Sequence, residues 1–209
     1  MVCTECQLVQ IVRIGHHGRV SESADDVKRT RILDAALAKF SAYGVARTSM
    51  ADVAEGAGMS RPALYQYYVN KDDIFRALLG RVLADAADRA IAALDGPGSL
   101  VEQLDGFLQR WYGDLSEQLS TTQHGADLVE AKSGHAKPVA DAANARVRRA
   151  VLDRLGRALD APRSRADVAD LADLLLLAPV GFKYDGPAVP RLRRRLSTLA
   201  RTVAAAAHP

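Results

Sequence analysis

From residue 25 onward, apolar residues recur at helical spacing. Ile32, Leu33, Ala36, Leu37 and Phe40 follow one another at three- and four-residue steps, which lays one apolar stripe along a helix. Gly44 follows at the position where a left-handed C-cap is predicted. A second, shorter stripe is formed by Met50, Val53, Ala54 and Ala57. Ser49 and Asp52 stand before it as a capping box, with Thr48 as an alternative cap, and Gly58 ends it because glycine accepts positive φ. Ser60 is a second N-cap; Met59 and Leu64 have the spacing of a hydrophobic staple, and Pro62 falls in the first turn, where no intrahelical donor is lost. Asn70 opens a long helix that ends near Gly96-Pro97-Gly98, and further helices are predicted at 99–120, 122–133, 137–159, 164–180 and 187–206. Breaks are expected at Gly134, Pro162 and residues 181–187. No run of alternating β-branched residues is long enough for a sheet, and no internal repeat is visible. The class is all-α. Residues 1–24 lack helical period and are expected to be a disordered extension.

Two short capped helices joined by about three residues, with a glycine in the joint, make a helix-turn-helix. On the second of them, expected over Ser60–Tyr68, Leu64 and Tyr68 point inward. Pro62, Ala63 and Gln66 point away, flanked by Tyr65 and Tyr67, with Arg61 at the helix start. That outer face has no acidic residue, small groups for close approach, and a glutamine able to pair bidentately with adenine. Backbone donors at the helix start favour phosphate as well. The competing reading is an αα-hairpin whose outer polar residues are simply solvated.

The block T-S-M-A-D-V-A-E-G-A-G-M-S-R-P-A-L-Y-Q-Y-Y-V-N-K, residues 48–71, resembles the DNA-binding domain of the tetracycline-repressor (TetR) family of bacterial regulators. The resemblance rests on Ile32 to Ala36, Phe40, Gly44, Thr48, Ala54, Ala57-Gly58, Ser60, Leu64-Tyr65, Tyr67-Tyr68 and Lys71, and covers roughly residues 25–80. It implies a three-helix DNA-binding domain over 25–80 and a C-terminal ligand-binding and dimerisation domain over 81–209, joined by the long helix. It also implies that Thr48 contacts phosphate, that Arg61, Pro62, Ala63, Tyr65 and Gln66 sit in the major groove, and that Tyr67 and Lys71 grip the backbone. For Gln66, reading a base and merely lying near one stay open, and Lys71 could be an ordinary solvated lysine. Two departures are visible. Pro62 and Ala63 replace a common Gly-Thr, which removes a hydroxyl from the base-facing surface, and Tyr68 replaces a usual Phe while keeping its packing role.

Charge and composition narrow this little further. A net charge of +3 rules out a histone-like coat, so an acidic partner must be met by a local patch. The 48% hydrophobic fraction excludes global disorder, and two cysteines cannot build a disulfide scaffold. The uncharged stretch Leu174 to Phe182 contains Pro179 and Gly181 and is far short of the roughly 20 residues a membrane helix needs. A cytoplasmic protein with no membrane association is expected.

In the C-terminal part, the resemblance implies homodimerisation through the last two helices. Leu171, Leu174, Leu175 and Ala178 offer an apolar face on one, and Leu192, Leu196, Leu199 and Val203 on the other. Arg191, Arg193, Arg194, Arg195 and Arg201 are read as a solvated rim in preference to a second DNA contact. Phe107, Trp111, Tyr112, Leu115 and Leu119, with His124, Asp127 and Leu128, are candidates to line a small-molecule pocket, against the simpler reading that they are core. Cys3, Cys6, His16 and His17 include ligand types for zinc, and His124, Asp127 and His135 for another metal, but no catalytic, metal or cofactor site is assigned. Nucleophile-elbow, Walker, zincin and Rossmann patterns are absent, which disfavours an enzyme. A helical binding module without DNA affinity is disfavoured by the intact second helix. The sequence reads as a homodimeric, ligand-responsive regulator, a repressor of transcription, on a palindromic operator.

Overall fold

The computed structural model describes residues 23–121, 137–158, 165–184 and 188–207, and among these all regular structure is helical. Residues 1–22 of the expected tail, the helix predicted at 122–133 and both candidate metal sets lie outside the described residues, while Ser23 and Ala24, counted with the tail, already begin the first helix. The chain divides into two compact units, the first reaching Arg81 and the second starting at Val82.

In the first unit, helix α1 spans Ala24–Tyr43, α2 Met50–Gly56 and α3 Arg61–Tyr65, followed by the start of α4, Lys71–Leu94. Each begins on a side chain that accepts from an otherwise orphaned backbone N–H. Ser23 and Asp26 form a capping box on α1, Ser49 and Asp52 form one on α2, Ser60 accepts from the Ala63 N–H, and Asn70 accepts from the Asp73 N–H. Gly58 takes φ +62° between α2 and α3, as the turn requires. Gly44 departs from the expected left-handed cap: its φ is +80°, but ψ is 154°, so the chain leaves α1 extended while its N–H still donates to the Phe40 carbonyl. The second helix of the pair is also shorter than expected. Gln66 caps α3 and a turn carries the chain to Tyr68, because Asn70 must already start α4. Ile32, Phe40, Val53, Leu64 and Ile74 are fully buried, and Phe40 meets Phe75 edge to face at 6.1 Å.

The second unit takes the rest of α4 and adds α5, Leu100–Leu108, α6, Asp114–Thr121, α7, Lys137–Ala158, α8, Arg165–Tyr184, and α9, Val189–Ala207. α9 packs against α5 and α8, and α8 against α7. Three expectations are corrected here. The helix predicted over 99–120 contains a π-helical turn, Gln109–Gly113. The helix predicted to stop at 180 continues through Pro179 to Tyr184. Finally, Leu192, Leu196, Leu199 and Val203 are buried inside the single chain, so the apolar face of α9 is core, while on α8 Leu175 is buried and Leu174 keeps 45% of its surface open. The amphipathic pattern was right about which side is apolar, but pattern alone does not say what covers it.

Arg193 packs against the π-turn. Its guanidinium donates to Asp114, Glu117 and Gln109, and a Cβ at Gly113 would stand 2.8 Å from its Nη1. The two carboxylates hold this guanidinium firmly charged. The residue expected on a solvated rim is therefore the centre of an internal polar knot, which Ser197 and Asp105 extend.

Candidate nucleic-acid interface

α3 is positioned by Leu64, fully buried, and by Tyr68, buried just beyond the helix. With these turned inward, Arg61, Pro62, Tyr65 and Gln66 are exposed and Ala63 is half-buried. Tyr65 keeps 43% of its surface open. The Arg61 guanidinium lies 5.6 Å from the Tyr65 ring centre and donates to its hydroxyl at 3.2 Å. Gln66 makes no side-chain hydrogen bond among the described residues, so both its donor and its acceptor face outward unspent. The helix itself carries no acidic residue.

The flanking candidates sit differently. Thr48 is 2% exposed and its hydroxyl donates to the Gly44 carbonyl at 2.9 Å. Its side chain closes the α1–α2 loop, and its hydroxyl is spent within the chain. Lys71 donates to the Ala46 carbonyl at 3.0 Å, tying the start of α4 to the same loop, and an ammonium has two further N–H groups to offer. Tyr67 donates its hydroxyl to Asp25 on α1 at 3.1 Å, so a phosphate would compete with that carboxylate. Asp52 is held below the usual carboxylate range by the backbone N–H and hydroxyl of Ser49, which keeps the α2 cap ionised. One neighbour of these residues was missed from sequence: Arg29 of α1 lies 5.5 Å from the Tyr67 ring and 5.9 Å from the Tyr68 ring. The basic run Lys28-Arg29-Thr30-Arg31 just before the first apolar stripe was the available signal.

The described residues offered as an effector pocket are largely buried. Phe107 is fully buried and Trp111 and Tyr112 are nearly so, in edge contact with each other at 6.4 Å. The Tyr112 hydroxyl donates to the Leu176 carbonyl at 2.7 Å, and burial pushes this phenol well above its ordinary pKa. Leu115 is half-buried, while His124, Asp127 and Leu128 fall outside the described residues. An open groove in the same unit is lined from α8 and α9 instead, by Leu174, Phe182, Arg191, Arg194, Thr198 and Arg201 among others. No described helix is long and apolar enough to cross a membrane.

A short capped helix packed by one leucine on a second short helix, with its outer side open and free of acid, defines the class: a helix-turn-helix domain of the DNA-binding type. Residues 32–78 match the family described as bacterial regulatory proteins, tetR family. Over 61 residues it is 44% identical to the HTH-type transcriptional regulator TtgR of Pseudomonas putida, a stretch that is 29% of each chain. Over 55 residues it is 40% identical to the HTH-type transcriptional repressor ComR of Escherichia coli, 26% of each. The chain thus spans less than a third of the length of these relatives. The fold is shared much further. A transcriptional regulator of the TetR/AcrR family from Thermobifida fusca aligns over 83% of this chain and 96% of its own, with TM-score 0.66 at 19% identity. The TetR family repressor AlkX from Dietzia aligns over 85% and 96%, with TM-score 0.57 at 18% identity.

Proposed function

We propose that this chain is a DNA-binding regulator of transcription, acting as a homodimer on a palindromic operator and released by a small-molecule effector bound in the second unit. The observation that carries the reading is the outward side of α3, where Arg61, Pro62, Tyr65 and Gln66 are exposed with no carboxylate on the helix. Two copies related by a two-fold axis would enter successive major grooves about one helical turn apart. Gln66, with its amide unspent, is assigned to an adenine edge, and Lys71, half committed to the Ala46 carbonyl, to a phosphate. Repression is favoured over activation by the name of the ComR relative. An effector that favours one arrangement of the dimer by about 1–3 kcal/mol is enough for a useful switch.

The test is fluorescence anisotropy with duplexes from the region upstream of the gene, titrated at several salt concentrations. Lys71→Ala should weaken all duplexes alike and reduce the salt slope by about one, and Gln66→Ala should relax preference at one base position of each half-site. If the wild-type chain ignores every duplex at low salt, the reading is wrong. If both variants lose specificity equally, the two roles are misassigned.

A further inference from the structure

We infer that Arg61, held by Tyr65, reads a guanine in each operator half-site, and that Tyr65 is the positioning residue for that contact. The inference rests on the DNA-binding reading and adds to it the base identity and the device that selects it.

Arg61 is the first residue of α3 and Tyr65 the last, one turn apart on the same side. The guanidinium does not swing out toward the flanks of the helix, where phosphates run. It folds along α3 onto the Tyr65 ring, 5.6 Å from its centre, with one N–H on the phenol oxygen at 3.2 Å. A free arginine carries rotamer entropy that a contact must overcome, and stacking removes part of that cost beforehand. The guanidinium has five N–H donors, and this hydrogen bond uses one. No carboxylate pairs with Arg61 among the described residues, so its charge and its remaining fork stay available beside the exposed ring of Pro62.

A planar fork with two parallel donors matches the O6 and N7 acceptors of guanine in the major groove; adenine presents a donor where guanine has O6. The apolar Pro62 and Ala63 next to it suit a thymine methyl and offer nothing to a polar base edge. Along the helix, Arg61 and Gln66 are five residues apart, about 7.5 Å at 1.5 Å per residue. Base pairs stack at about 3.4 Å, so the guanine lies about two base steps from the adenine assigned to Gln66.

The experiment is selection from a duplex library with a randomised central region, using the full chain, Arg61→Lys, Arg61→Ala and Tyr65→Phe, followed by affinities on the selected site and its single-base variants. The wild type should fix one guanine per half-site, discriminating against other bases roughly 5- to 150-fold. Arg61→Lys keeps the charge but not the fork, so binding should persist while that discrimination collapses to a few-fold. Tyr65→Phe keeps the ring and removes the tether; it should lose several-fold at the guanine alone, with the other positions and non-specific binding unchanged. Circular dichroism of each variant should match the wild type, since Arg61 and Tyr65 are exposed. A selected palindrome in which no position changes its base preference in the Arg61 variants overturns the guanine assignment and leaves DNA binding intact. A uniform loss across all sequences in Arg61→Ala, spared in Arg61→Lys, assigns Arg61 to phosphate and likewise overturns it. Retention of no duplex by the wild type sinks the DNA-binding reading itself.

Discussion

Thr48 and Tyr112 show how a hydroxyl that looks functional in sequence can be committed to the fold. The Thr48 hydroxyl reaches back to the Gly44 carbonyl within a buried loop, and replacing it by a methyl leaves that carbonyl without its donor. Thr48→Val should cost about 1–2 kcal/mol in urea unfolding while operator affinity, measured well below the midpoint, stays within twofold. Affinity loss at unchanged stability would instead put the hydroxyl on a phosphate. Tyr112 supplies a pH test. Its phenol is pushed up by burial, so the folded state keeps its proton where the unfolded chain begins to lose it, near pH 10. The stability it contributes is fully present below that pH and declines as pH rises above it. The alkaline fall in thermal midpoint should therefore be shallower in Tyr112→Phe than in the wild type, after allowing for the lost hydrogen bond to Leu176, which lowers the variant at every pH. Parallel curves would mean that Tyr112 is not protected when folded.

At the scale of elements, what was legible in the sequence was local. The capping box of Ser49 and Asp52, the cap at Ser60, the turn at Gly58 and the inward Leu64 all depend on residues within four positions of one another, and all stand in the structure as read. The exposed side of α3 followed from the same periodicity. Its early end at Tyr65 did not, because it is set by where α4 begins. The knot around Arg193 was illegible for a different reason: its partners Asp114, Glu117 and Gln109 lie 79, 76 and 84 positions away, and only the packing of α9 brings them together. From the sequence alone, five arginines on one helix look like a charged surface. The π-turn belongs to this knot, since Gly113 is where the guanidinium needs room. Gly113→Ala places a methyl against a group that three partners pin, and should destabilise the protein by about 1–3 kcal/mol in chemical denaturation. Arg193→Ala should cost stability by itself, yet the double variant should fall short of the sum, because the second change removes the atom with which the methyl clashes. Strict additivity would separate the glycine from the knot.

For the whole molecule, the proposed homodimer needs a surface that joins two copies. α9 cannot offer its apolar side, since Leu192, Leu196, Leu199 and Val203 already fill the core of their own chain. α8 is different: Leu175 is buried, but Leu174, Leu177 and Val180 keep 45%, 65% and 46% of their surface open on one helix. Three large apolar side chains left this exposed fit a contact that the single chain does not complete. Leu177→Glu would put a charge in the middle of that strip, and sedimentation velocity should then show the monomer at concentrations where the wild type is a dimer. The thermal midpoint read at high dilution, where both are monomeric, should be nearly the same. Loss of the dimer should also be felt on DNA. A dimer engages the second half-site at the high effective concentration its partner enforces, so its affinity for a full operator can exceed that for one half-site by about 100-fold or more. The Leu177→Glu monomer should bind the full operator no better than the wild type binds a duplex with one half-site scrambled. If it binds the full operator as tightly as the wild type, the two recognition helices are joined through another surface, or not at all.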